Sequence, residues 1–152
     1  MSLPEYPEGL PRGNLAGYRL EHGDTFVRTQ LASGRARQRR RFTSVPTEVR
    51  IEWLFSDGEF ALFEGWFKHQ ITDGADWFTG PLKTSTGIQD YEQRFASMYT
   101  ARALGGRHWR VDATLEIRER QTVPADWVLT APLYIQHASI FDRAINREWP
   151  TA

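Results

Sequence analysis

The stretch from Pro46 to Phe78, PTEVRIEWLFSDGEFALFEGWFKHQITDGADWF, constrains this chain more than any other, because it holds eight of the twenty aromatic residues. Val49, Ile51, Trp53 and Phe55 alternate with Arg50, Glu52 and Leu54, the period-two pattern of a strand with one buried face. Ser56 and Glu59 then match a capping box, in which the hydroxyl takes a free amide of the first turn and the carboxylate reaches back to the cap. The box predicts a helix that starts at Asp57. Phe60, Phe63, Phe67 and Ile71 recur at helical spacing and Leu62 and Trp66 widen the stripe, so one face of a helix over about residues 57–71 lies on a sheet. Thr72-Asp73-Gly74 ends it, since glycine just past a last turn takes the left-handed conformation. Trp77 and Phe78 open the next strand.

At 152 residues the chain suits one domain of ordinary size. Nineteen basic and nineteen acidic side chains cancel, which argues against a general binder of nucleic acid or anionic membrane. The absence of cysteine excludes disulfides and thiolate metal sites and fits a reducing compartment. No apolar run approaches the roughly 18 residues of a membrane span. The first residues, MSLPEYPEGLPRG, lack an apolar run or basic leader and do not read as a secretory signal.

Residues 1–14 carry Pro4, Pro7 and Pro11 with few apolar anchors, which predicts an extended arm, either disordered or laid along a neighbouring subunit. Gly17 to Glu21 and Thr25 to Leu31 read as two short strands in a hairpin around His22-Gly23-Asp24. In SGRARQRRRFTS, Arg35, Arg37, Arg39 and Arg41 alternate and Arg40 breaks the pattern. Extended, four guanidiniums share one face, which suits phosphates, the carboxylates of a partner subunit, or a solvated edge protected by charge. Phe42 is the one aromatic nearby, poor support for stacking of single-stranded bases.

Gly80-Pro81 and KTSTG read as a turn or exposed loop, and Gln93 to Tyr99 as another strand. Gly105-Gly106 is the clearest hairpin turn. Trp109, Val111, Ala113, Leu115 and Ile117 then alternate cleanly with charged and polar residues. Strands around one helix, with hairpin-like links, predict a mostly β, α+β fold: an antiparallel β-sandwich with one packed helix over residues 15–121. Residues 122–152 form a C-terminal extension, partly helical, with Leu129, Leu133, Tyr134, Phe141, Ile145 and Trp149 as apolar candidates for docking on a neighbour; folding back on the chain's own core is the other reading.

No G-x-S-x-G, phosphate-binding glycine loop or H-E-x-x-H occurs. His22, His69, His108 and His137 have no sequence-local partners of the kind a metal or catalytic site needs. The residues therefore give no reason to expect an enzyme, a metal or a cofactor.

The succession RARQRRRFT, strand, EFALFEGWF helix, DGADWF, GPL, RF and WRVDATLEIRER resembles a family of small tail proteins of tailed bacteriophages and prophages, over about residues 27–120. The order of elements is also similar to the sandwich-plus-helix domain of tail tubes, distal tail proteins and tail-completion rings. The resemblance implies a virion structural protein, made in the bacterial host cytoplasm. It would form a homo-oligomeric ring, six copies by family analogy, at the distal tail or baseplate, joining the tail tube to hub or tip proteins. It implies no catalytic residues, no membrane, and no nucleic-acid partner beyond passive contact with DNA in a tail channel. Arg35, Arg37, Arg39, Arg40 and Arg41 and the six C-terminal apolar residues become the candidate subunit contacts. The alternatives are a tail-completion, terminator or head–tail connector ring, and a small nucleic-acid-binding module built on Arg35 to Arg41.

Overall fold

A computed structural model describes residues 2–148. The chain divides into two compact units, Met1–Arg120 and Gln121–Ala152. The first is an antiparallel sheet with one packed helix, so the fold is α+β and mostly β.

Its centre is the pair of strongly alternating strands. β4 (Thr47–Ser56) and β8 (His108–Ile117) run antiparallel in register from Thr47–Ile117 to Ser56–His108. Val49, Ile51, Trp53 and Phe55 from one strand and Val111, Ala113, Leu115 and Ile117 from the other are buried on the same face, as the period of two requires. β1 (Asn14–His22) pairs with the free edge of β4. The other edge of β8 is shared by two strands. β6 (Gly87–Phe95) takes its end near Ile117, and β7 (Thr100–Leu104) takes the rest after the Gly105-Gly106 turn. β5 (Phe78–Thr84) pairs with β6 and completes the order β1-β4-β8-β6-β5.

The sheet curls until its two ends meet. The Tyr18 hydroxyl on β1 donates to the Lys83 carbonyl on β5 at 2.6 Å, and Ile51 and Trp53 of β4 line one small cavity with Phe78 and Leu82 of β5.

Helix α1 (Asp57–His69) closes the apolar interior from one side. The capping box forms as predicted: the Ser56 N–H donates to Glu59 Oε2 at 2.8 Å, and the Glu59 N–H reaches Ser56 Oγ at 3.4 Å. Phe60, Phe63, Trp66 and Phe67 are buried. Phe63 lies within 5.2–6.4 Å of the rings of Trp53, Phe55, Trp66, Phe67, Phe95 and Tyr99, contacts that add to simple burial. Leu62 is exposed, so the apolar stripe is narrower than the sequence suggests. The helix ends at His69, two residues early, because Thr72, Asp73 and Gly74 all adopt positive φ and the Asp73 N–H turns back to the Phe67 carbonyl at 3.1 Å. A Cβ at Gly74 would lie 2.8 Å from the Phe67 ring, so glycine is required there by space as well as by φ.

Three expectations are corrected. β1 forms no hairpin with the following strand: Tyr18 and Leu20 pack on the core beside β4. The strand after it, β2 (Phe26–Gln30), pairs instead with β3 (Ala36–Arg40) as a separate two-stranded sheet. Gly80-Pro81 is no turn but the middle of β5; β5 lies at the edge of the sheet path, where a missing N–H is tolerated. Nor is the N-terminal segment free to lie on a neighbour. The Tyr6 N–H donates to the Thr79 carbonyl and the Thr79 N–H to the Pro4 carbonyl, both at 2.8 Å, so residues 4–6 extend the edge of β5 in parallel. Trp66 Nε1 donates to the Glu5 carbonyl at 2.9 Å, Tyr6 stacks on Trp53 with ring centroids 6.3 Å apart, and Leu10 is buried. Gly80 permits this approach, since a Cβ there would meet Tyr6 Cβ at 3.0 Å and the Gln93 amide at 2.6 Å.

The second unit contains α2 (Ala125–Thr130), which the sequence reading did not anticipate, and α3 (Pro132–Glu148), close to the helical pattern read over residues 132–147. Trp127 and Tyr134 meet edge to face at 5.5 Å.

Candidate functional site

The β2–β3 hairpin collects the arginine row. Arg37, Arg39 and Arg40 lie on β3, Arg35 just before it and Arg41 just after. Paired strands fix the faces: Thr29 opposes Arg37, Val27 opposes Arg39 and Phe26 opposes Arg40. Arg35, Arg37, Arg39 and Arg41 therefore share one face by alternation, and Arg40 points to the other. Arg40 is used internally, its Nε and Nη2 donating to the carbonyls of Phe42 and Thr43 at 3.1 Å each. The Arg41 guanidinium lies 5.1 Å from the Phe42 ring centroid.

Sequence reading missed Arg28, which stands opposite Gln38 on the Arg40 face. The signal was present in the Ser33-Gly34 turn, with Gly34 at φ 79°, which joins β2 to β3 and brings Arg28 into the cluster. From Gly23 to Ser44 every residue except Val27 is exposed, and among the described residues the hairpin's strands pair only with each other.

Elsewhere on this unit six arginines have carboxylates beside them. Arg94 holds Glu116 at 2.9 Å, Arg118 holds Glu92 at 3.0 Å, Arg110 lies 3.3 Å from Glu52, and Arg19 and Arg50 share Glu21. Arg94 and Arg118 also flank the Trp77 ring at 4.7 and 5.6 Å. Among the described residues none of the six hairpin arginines forms such a pair.

In the second unit Leu129 is 82% exposed, Leu133 69% and Tyr134 49%, and Trp127, Val128 and Ile140 are also exposed. The backbones of Phe141 and Ile145 belong to α3, and their side chains lie outside the described residues, as does Trp149 altogether. The sequence reading did not name Trp127, Val128 or Ile140.

Two open grooves of about 380 and 340 Å³ mark the first unit, one between the N-terminal segment and β5, the other beside Gly17 and Met98. Both are lined by a mixture of polar and apolar residues. Among the described residues no group of three or more His, Cys, Asp or Glu is placed to hold a metal ion, and no helix is long and apolar enough to cross a membrane. The shifted groups are tyrosines: burial, then the nearby Glu59 charge, pushes the Tyr6 hydroxyl well above its ordinary value, and burial raises Tyr18 and Tyr99 less strongly. Tyr6 donates to the Pro11 carbonyl at 2.9 Å, so the shift accompanies a packing role.

No family model, curated protein or solved structure matches the chain.

Proposed function

We propose that the chain is a structural subunit of a bacteriophage tail, ring-forming and stationed at the distal tail or baseplate, where it joins the tail tube to other tail-tip proteins. The observation that carries this reading is the pairing of a well-filled body with two segments that leave their chemistry exposed: the six-arginine hairpin and the apolar residues of α2 and α3. Surfaces of this kind suit neighbours. Exposed leucines gain about 25 cal/mol per Å² when a partner covers them, and a closed ring supplies the same partner surface to every copy. The element order resembling tail-ring proteins agrees with this architecture. The apolar residues of the second unit act as the adaptor to a second tail protein, and the subunit is made in the host cytoplasm before joining the virion.

The test is to locate the labelled chain in purified particles of the phage or prophage that encodes it. A ring at the distal end is expected; absence from the particles overturns the proposal, and a ring at the neck assigns the chain to tail completion. A chain ending at Arg120 should fold and fail to enter tails. The arginine hairpin supports one second reading, a nucleic-acid-binding module, for which binding to DNA by the isolated chain is the test.

A further inference from the structure

The distribution of charge along the chain is far less even than its total. Of nineteen basic residues six are arginines between Thr25 and Thr43, a span with no carboxylate. Thirteen basic residues then face nineteen acidic ones in the rest of the chain, leaving six negative charges in excess. The hairpin and the remainder are equal and opposite. Two short strands with no buried face have little stability of their own, and six clustered guanidiniums repel one another. What the hairpin lacks, negative charge, is what the remainder of an identical chain carries in excess.

We infer that the β2–β3 hairpin is a docking arm for a second copy of this chain, laid head to tail so that Arg35, Arg37, Arg39 and Arg41 of one copy meet carboxylates of the next. The inference rests on the ring reading for closure and on the charge division for the contact itself. Alternate residues of a strand lie about 6.7 Å apart, so the four guanidiniums offer a row that can engage several separate carboxylates at once. Arginine suits the task because its planar fork makes paired hydrogen bonds to carboxylates. Arg40 braces the base of the arm through the Phe42 and Thr43 carbonyls. A heterologous contact of this kind uses a different surface on each side, so it propagates and closes into a ring when the rotation allows. DNA is disfavoured as occupant because the excess negative charge of the remaining chain would repel it.

The experiment follows the mass of the full-length protein in solution by light scattering and sedimentation, for the wild type and for the fourfold variant Arg35→Glu, Arg37→Glu, Arg39→Glu, Arg41→Glu. The hairpin buries nothing in the core, so the variant's near-ultraviolet circular dichroism should match the wild type and certify its fold. The wild type is expected to self-associate at low salt and to dissociate toward monomer at about 1 M salt. The variant should associate about tenfold more weakly or worse. Added to wild type, it should shorten the assemblies, because its body accepts an arm while its own arm cannot extend the chain.

Equal association of the variant, or a wild type that stays monomeric at every concentration, overturns the inference. So does salt-sensitive binding of the wild type to a duplex of about 30 base pairs, which would give the arm to phosphates. Rings that form equally in the charge-reversed variant would leave the tail reading standing and remove this one. Arm-dependent association of a chain missing from tails would do the reverse.

Discussion

The two ends of the chain both read as extensions in sequence, and they are held differently. Residues 1–14 offer three prolines and few apolar side chains, yet Tyr6 and Leu10 join the core and the backbone of residues 4–6 extends β5. Residues 122–152 are richer in apolar residues, yet Leu129 and Leu133 lie exposed on their own small unit. The number of apolar residues does not decide the matter. The first end has a prepared seat: an unpaired strand edge at Thr79, an indole N–H at Trp66, and a glycine at position 80 that lets the backbone approach. Ordering a residue costs about 1–2 kcal/mol, and hydrogen bonds and burial along that seat offset it. At the second end Trp127, Val128, Leu129, Leu133 and Ile140 are exposed.

Substitutions can break this contrast. Trp66→Ala should cost most, on the order of 3–5 kcal/mol, since it opens a cavity and strands the Glu5 carbonyl; a melting temperature unchanged from wild type would remove the N-terminal end from the core. Leu10→Ala should cost about 2 kcal/mol, measured by chemical denaturation. Ser56→Ala should lose about 1 kcal/mol by removing the helix cap, a local reference against which the ends are judged. Leu129→Ala and Leu133→Ala should each change the stability of the free chain by less than about 0.5 kcal/mol. A leucine at the second end that costs as much as Leu10 would erase the difference.

A pH titration sharpens the comparison without mutation. Tyr6 holds its proton more tightly folded than unfolded, so its contribution is complete below its ordinary value of 10.0 and falls as pH rises past it. Stability should decline above pH 10.0, with less of a decline in Tyr6→Phe. Equal alkaline profiles would show that the hydroxyl is not buried.

Where sequence was informative, local rules and tertiary packing agreed. The alternation of β4 and β8, the capping box at Ser56 and Glu59, and the glycine turn at residues 105 and 106 each announce an element through nearest neighbours. Reading failed where the partner was distant. His22-Gly23-Asp24 resembles a hairpin turn, yet β1 prefers β4 because Tyr18 and Leu20 bury there. Pro81 resembles a break, yet an edge position tolerates it. The arm at residues 4–10 is held by Thr79 and Trp66, some sixty or more residues away, which no local pattern reveals. Of the candidate contact residues, the arginine row was legible because alternation alone puts four guanidiniums on one face. Arg28 was hidden by the mistaken hairpin.

Hydrogen exchange, measured on the chain free in solution and within tails of the phage proposed to carry it, tests most directly the proposal that its exposed arginine and apolar segments are joints to neighbours. Residues 4–10 should exchange slowly in both states, while residues 25–43 and 121–140 should exchange fast in the free chain and slowly in tails. Slow exchange across residues 121–140 in the free monomer, or no gain of protection in tails, would contradict the account.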